Sequence, residues 1–385
     1  MKKLAIIGAS DLQLPLILKA KQMGLETHVF AWRTGAPGET AADYFYPISI
    51  IEIDSIIKEC KRIQPNGIAT IASDLAAITV IKTASALGLP CNPLETATIA
   101  TNKYEMRKAL LQAGLPTPHF YRIDSNLNNL EDAKKLDFPV IVKPTDRSGS
   151  RGIFKVQNPN DLQEAVLSAF QESFEKCAIV EEYIEGDEFS CECITVNGIH
   201  NMLSITKKYT TGAPHFIEIG HIEPSGLDDK TCERVKTQVF CALDALHVRA
   251  GASHSEFRVN KDGEIRLIEI GARMGGDCIG SDLVHLSTGY DFVRMVIECA
   301  IGEPVTLKKG LPRGVAAVRY IMNREDYEFF QKNQPNLGDH FIRKSEICYP
   351  ENTNVTDSST RNGFYVIIAD SIEEAKHLAN LDELA

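Results

Sequence analysis

The chain has 385 residues, 44% hydrophobic and 24% charged, enough apolar matter for two or three packed domains. Its 41 Lys and Arg face 52 Asp and Glu, and the net charge of −11 argues against general binding to nucleic acid or anionic membranes, which needs basic surface. No stretch approaches the roughly 18 uncharged apolar residues of a membrane span, and the apolar run after Lys2-Lys3 stops too soon for a signal-peptide core.

Residues 1–95 alternate strand and helix. Leu4–Gly8 reads as a buried strand, and Leu12–Met23 has helical apolar spacing that Gly24 stops. Thr27–Trp32 and Gly67–Ala72 read as further strands, with helices over Ile51–Ile63 and Leu75–Leu87. This alternation predicts a parallel sheet covered by helices. Gly8-Ala9-Ser10 stands where a dinucleotide fold carries G-x-G-x-x-G, but Ser10 and Gln13 occupy the second and third glycine positions. A tight strand-to-helix turn is therefore expected rather than NAD binding. Ser73-Asp74 falls at the carboxyl edge of the third strand, where it suits either a ligand contact or a helix cap.

Beyond residue 100 the pattern changes. Asn102–Ala113 reads as a helix and Gly114-Leu115-Pro116-Thr117-Pro118 as a rigid linker. Strand pairs are expected between Pro139–Lys143 and Gly152–Val156, between Ala178–Ile184 and Phe189–Val196, and between Ser253–Val259 and Glu264–Ile270. Helices are expected near Asn160–Glu175, Asp229–Leu246 and Tyr290–Ile301, and residues 306–385 read as a smaller α+β tail with a strand at Gly363–Ile368. The ten cysteines form no CxxC pair and no zinc-finger spacing, which suits reduced, mostly buried thiols in a cytoplasmic protein.

Five segments carry chemistry. Asp262-Gly263 signals a two-residue hairpin turn pairing Lys261 with Glu264, a register that sets Glu256 directly opposite Glu269. Facing carboxylates repel; a divalent cation, most often Mg²⁺ beside phosphate, would compensate, as would a slipped register or neutralisation by Arg258, Arg266 or Arg273. Lys143 ends a buried-type strand and precedes Arg147-Ser148-Gly149-Ser150-Arg151-Gly152, whose backbone N–H groups suit a phosphate cradle or a plain surface hairpin. Residues 181–192 hold six acids, Glu181, Glu182 and Glu188 among them, and no Lys or Arg, which suits either a solvated turn or ribose hydroxyls. Arg273 lies four residues after Glu269 and just before Gly275-Gly276, placed to grip a carboxylate or phosphoryl group. His221 sits in a Gly/Pro-bounded loop as an acid/base or phosphate-contacting group, or as a structural histidine.

The order Lys103, Lys143 with its Gly-rich hairpin, Glu181-x-x-Ile184-x-x-x-Glu188, then Glu256, Glu269 and Arg273 resembles the ATP-grasp superfamily over nearly the whole chain. Glu269-Ile-Gly-Ala-Arg-Met-Gly-Gly and the Phe216–His221 segment look most like the L-amino acid ligases, which join two amino acids into a dipeptide. The resemblance implies an α/β and α+β fold: a Rossmann-like unit over 1–99, a two-part ATP clamp over 100–305 with a lid at about 116–188 hinged near Pro116–Pro118 and Ile184, and a small α+β unit over 306–385. It implies that Lys103 and Lys143 contact ATP phosphates, and that Ser148, Gly149 and Ser150 close over the β- and γ-phosphates. Glu181 and the backbone of Glu182 and Ile184 would receive adenine, and Glu188 the ribose. Glu256 and Glu269 would hold Mg²⁺, with Mn²⁺ as an alternative ion. Arg273 would bind the substrate carboxylate or acyl phosphate, and Glu218 and His221 would line the amino-acid site. Many members carry Asn two residues after the second metal carboxylate; here it is Gly271. The implied activity is ATP-dependent ligation of a carboxylate to an amine, with amino acids as substrates, by a homodimer. Carboxylase or purine-biosynthetic chemistry and a non-catalytic nucleotide-binding subunit are the competing expectations.

Overall fold

The strands sort into three sheets in sequence order, in a computed structural model that describes residues 1–213, 215–351 and 355–382. The first sheet is parallel, with β1 (Lys3–Ile7), β2 (Glu26–Phe30), β3 (Tyr44–Tyr46) and β4 (Gly67–Ala69) in the order β3-β2-β1-β4. Four of the five β1 residues are buried, as helices on both faces require. The turn after β1 is closed by Gln13, which accepts from Ser10 Oγ (2.7 Å) and donates to the Ile71 carbonyl (2.8 Å). It is the tight connection expected from the missing glycines.

The second sheet is antiparallel: β5 (Phe120–Ile123), β6 (Val140–Pro144), β7 (Phe154–Val156) and β8 (Ala178–Glu182), in the order β5-β8-β6-β7. It has its own core, in which Leu162, Val166 and Ala169 of the helix Leu162–Glu172 pack on Val140, Val142 and Val180.

The third sheet has eight antiparallel strands: β9 (Asp187–Val196), β10 (Ile199–Thr210), β11 (Glu218–Glu223), β12 (Gly251–Val259), β13 (Ile265–Gly271), β14 (Val315–Tyr320), β15 (Phe341–Lys344) and β16 (Phe364–Ala369). Their order is β13-β12-β9-β10-β11-β14-β16-β15. The helices Lys103–Gln112 and Asp229–Ala245 bury Met106, Leu110, Val239 and Leu243 against Phe257 and Leu267 of this sheet. The helix Phe292–Ala300 shares a core with Leu4 and Ile6 of the first sheet and with Ile194 and Ala252 of the third.

Three expectations need correction. β8 and β9 do not pair: β8 lies between β5 and β6, and β9 between β10 and β12. Their apolar faces serve different cores, Ala178 and Val180 in the small sheet and Phe189, Cys191 and Cys193 in the large one. The segment before His221 is no loop beyond Ile217, because Glu218–Glu223 is the strand β11, paired with β10 and β14. Residues 306–385 do combine strands and helices, and their strands β14, β15 and β16 extend the large sheet. The cysteines are also less buried than expected, with five of the ten buried and two exposed. Among the described residues no helix is long and apolar enough to cross a membrane.

The chain passes between the two antiparallel sheets at Gly186, whose φ is +121°. A Cβ there would lie 2.4 Å from the Val259 carbonyl oxygen. Gly186→Ala should therefore cost on the order of 2 kcal/mol through strain and clash, read as a lower thermal midpoint than that of the parent chain.

Candidate active site

A cavity of about 370 Å³ opens where the three sheets meet. The small sheet supplies one wall, the β9–β13 end of the large sheet another, and the segment after β4 and the tail form its rim. The residues to which the resemblance gives a site role all line it: Lys103, Lys143, Ser148, Gly149, Ser150, Glu181, Glu182, Ile184, Glu188, Glu218, His221, Glu256, Glu269 and Arg273.

The small-sheet wall is organised by a buried charge cluster. Lys143 Nζ lies 2.5 Å from Glu181 Oε1, and Arg107 Nε donates to Glu181 Oε2 at 2.7 Å. Arg107 also donates to the Leu267 carbonyl of β13 (3.1 Å). Burial pushes the Glu181 carboxyl up, but Arg107 and Lys143 outweigh it and hold the group at about 2. Burial pushes the Lys143 ammonium down. The Glu181 side chain is thus held between two cations, and its carboxylate fixes Lys143 in the cavity wall. The loop carrying Ser148 and Gly149 closes over the cavity, with Ser150 Oγ donating to the Phe216 carbonyl at 3.2 Å.

Lys103 opens a helix capped by Asn102, whose side chain accepts from the Tyr104 and Glu105 N–H groups. Its ammonium donates to the Arg147 carbonyl (2.5 Å) and to Glu269 Oε1 (2.9 Å). At the other end of the wall Arg258 donates to the Ile184 carbonyl (2.7 Å) and to Glu188 Oε2 (2.9 Å).

Glu256 and Glu269 do stand opposite each other, by a different route from the one expected. The turn has three residues, Lys261-Asp262-Gly263, closed by Asn260 N–H to Glu264 O at 3.1 Å, with Gly263 at φ +75°. A bulge at Ile268 then restores the opposition: Phe257 faces Leu267, while Glu256 faces Glu269. The bulge also lets consecutive Ile268 and Glu269 both line the cavity. Lysines, rather than the arginines considered from sequence, stand beside the two carboxylates, Lys103 on Glu269 and Lys208 on Glu256.

Lys208 is the residue that sequence reasoning missed most plainly. Its buried ammonium bonds Glu256 and lies 3.4 Å from Glu188 and 3.7 Å from Glu218. Three carboxylates outweigh burial and hold it firmly protonated. Its signal was the strand periodicity of β10, which was not read as a strand from sequence.

Arg273 makes a two-pronged pair with Asp74, at 2.9 and 3.1 Å, while Ser73 caps the following helix by accepting from Ala76 N–H. The cap reading of Ser73-Asp74 thus holds for Ser73, while Asp74 lines the cavity and holds Arg273. This pair also explains Gly271. A Cβ there would lie 2.9 Å from Asp74 Oδ1 and 3.1 Å from Arg273 Cζ, so an asparagine would have to displace this pair.

At the far end, both His221 ring nitrogens lack a hydrogen-bond partner among the described residues, and burial keeps the ring neutral. Its Nε2 lies 3.8 Å from Asp277, which Arg361 grips at 2.8 and 2.9 Å. Ser358 donates to Glu218 at 2.7 Å. Ser358 and Arg361 come from the tail, with no motif to mark them. Asp277 and Cys278 both have positive φ, +51° and +63°, the kind of stored strain found at functional sites.

No group of three or more His, Cys, Asp or Glu side chains arranged for a metal occurs among the described residues. Glu256 and Glu269 nevertheless suit Mg²⁺, which takes one or two carboxylates and fills its remaining positions with phosphate and water.

The Glu181 cluster gives a pH test. Its folded value lies below the ordinary 4.5, so the native state binds fewer protons, and this stabilisation is complete above that pH and lost as the pH falls toward 2. Glu181→Gln should show a shallower fall of urea-unfolding stability across this window than the parent chain; equal slopes would contradict the pairing.

Residues 136–282 match the family model described as ATP-grasp domain. D-alanine–D-alanine ligase B of Chromobacterium violaceum is 31% identical over 198 residues, covering 49% of this chain and 63% of that protein. Alanine–anticapsin ligase of Bacillus subtilis is 25% identical over 282 residues, covering 67% of this chain and 59% of that one. The matches thus span about three-fifths of these relatives' lengths. The crystal structure of L-amino acid ligase from Bacillus licheniformis superposes with a TM-score of 0.81 at 25% identity, covering 100% of this chain and 98% of that one. Residues 136–282 thus match an ATP-grasp domain, and the chain as a whole has the ATP-grasp fold.

Proposed function

We propose that the chain is an ATP-dependent carboxylate–amine ligase that joins two amino acids through an acyl phosphate. The observation that carries this reading is the meeting of two buried lysines, two opposed carboxylates and Arg273 in one cavity. The names of its relatives, ligases of alanine and of L-amino acids, favour amino-acid substrates.

In this reading Lys143, held by Glu181, and Lys103 face the phosphates of ATP, and the Ser148–Ser150 loop covers them. Glu256 and Glu269 would hold a divalent cation, which would supply neutralisation of phosphate charge. The donor carboxylate oxygen attacks the γ-phosphorus, the bond to the bridging oxygen breaks, and ADP leaves. Lysines and loop amides stabilise this charge by positioning and electrostatics. Arg273, oriented by Asp74, grips the acyl phosphate. The amine nitrogen then attacks the acyl carbon and phosphate departs. Neutral, unpartnered His221 is placed to take the amine proton. The domain division at 99 and 305 and the lid over 116–188 belong to the same proposal.

ADP release should require two amino acids together, with a product mass equal to their sum less one water. Bicarbonate-dependent release without an amide product would overturn this reading. Glu269→Ala should lower turnover by about 10²-fold or more, as expected for removing charge stabilisation at a reacting phosphate. A nonhydrolysable ATP analogue with Mg²⁺ should slow proteolysis within Thr145–Gly152, and equal cleavage rates would count against lid closure.

A further inference from the structure

We infer that Glu192 and His254 are positioning residues: they fix the orientation of the Glu256 carboxylate for a divalent cation and couple it to the turn that follows Arg273. The inference rests on the proposed role of Glu256 and goes beyond it, because neither residue faces the phosphates in that reading.

Glu192 on β9 and His254 on β12 sit directly across from each other in the register. Glu192 is wholly buried and His254 nearly so. One Glu192 oxygen is hydrogen-bonded to His254 Nδ1, and the other accepts from the Gly275 N–H at 3.0 Å. The second His254 nitrogen lies 3.2 Å from Glu256 Oε1. The ammonium of Lys208 bonds that same oxygen. Both contacts therefore fall on Oε1, leaving Oε2 without a protein partner among the described residues and open to a cation.

The other end of this chain of contacts is equally constrained. A Cβ at residue 275 would lie 2.7 Å from Glu192 Oε1 and 2.8 Å from His254 Nδ1. Only a glycine lets the Met274–Gly276 turn lie against the pair. A carboxylate this deeply buried is costly unless each oxygen is satisfied, and here the partners are the histidine behind Glu256 and the turn beyond Arg273. The arrangement connects the cation side of the cavity with its substrate side through three side chains and one backbone N–H. Hydrogen-bonded partners behind a metal ligand typically govern metal affinity by about 10- to 100-fold.

The test is Mn²⁺ binding to the full chain in the presence of ADP, followed by the free-ion electron paramagnetic resonance signal. Glu192→Gln and His254→Phe should each weaken Mn²⁺ binding by about 10-fold, and turnover should recover at high Mg²⁺. His254→Gln, which keeps a donor toward Glu256, should restore most of the affinity. A purely structural role predicts a lower thermal midpoint with unchanged Mn²⁺ affinity, and that result overturns the proposal. Should His254→Phe fail to fold, Glu192→Gln alone decides, since it changes little more than charge. Glu256→Gln is the control. If it weakens Mn²⁺ binding and the other two variants do not, the positioning role falls alone; if it too leaves binding unchanged, the metal role of Glu256 falls with it.

Discussion

The cavity depends on one buried cluster, Arg107–Glu181–Lys143. Three elements meet there: the helix that begins at Lys103, strands β6 and β8 of the small sheet, and the Leu267 carbonyl of β13. Buried ion pairs add little stability over a well-packed apolar alternative, but losing one partner strands a charge at roughly 3–5 kcal/mol. The cluster therefore acts as a coordinate system. It ties the small sheet to the large one at the wall where Lys143 emerges.

Charge alternates from this cluster inward. Glu181 holds Lys143, Lys103 meets Glu269, and Lys208 lies among Glu188, Glu218 and Glu256. Asp74 holds Arg273, and Arg361 holds Asp277. The net negative charge of the chain, carried entirely by residues 101–385, is thus locally cancelled around the cavity. An anionic ligand with its cation can enter by exchanging partners rather than by meeting an unscreened field, which makes side-chain rearrangement part of binding.

Local signals in the sequence carried far. The alternation over residues 1–95 was legible because strand and helix periods are properties of short windows. The site residues were legible as types at spacings, and they meet. Sheet membership was not, because it depends on distant partners: nothing near Ala178–Glu182 tells that its neighbours are β5 and β6 rather than β9. The opposition of Glu256 and Glu269 shows two deviations that cancel, since a three-residue turn shifts the register by one and the Ile268 bulge shifts it back. Lys208 and Arg361 escaped notice because a single cation on a strand or in a tail carries no motif; only the fold reveals the carboxylates they face.

Gly271 has a meaning that reaches beyond the cation site. The space its missing side chain leaves is taken by a carboxylate from a helix almost two hundred positions earlier in the chain. Positions 74 and 271 compete for the same few ångströms, so neither can change freely without the other. With Asp74 placed as it is, a larger residue at 271 would push against the pair that Asp74 makes with Arg273. The first sheet is thereby written into the chemistry of the third, and a graft that exchanged either unit for a relative's would have to carry both positions across together.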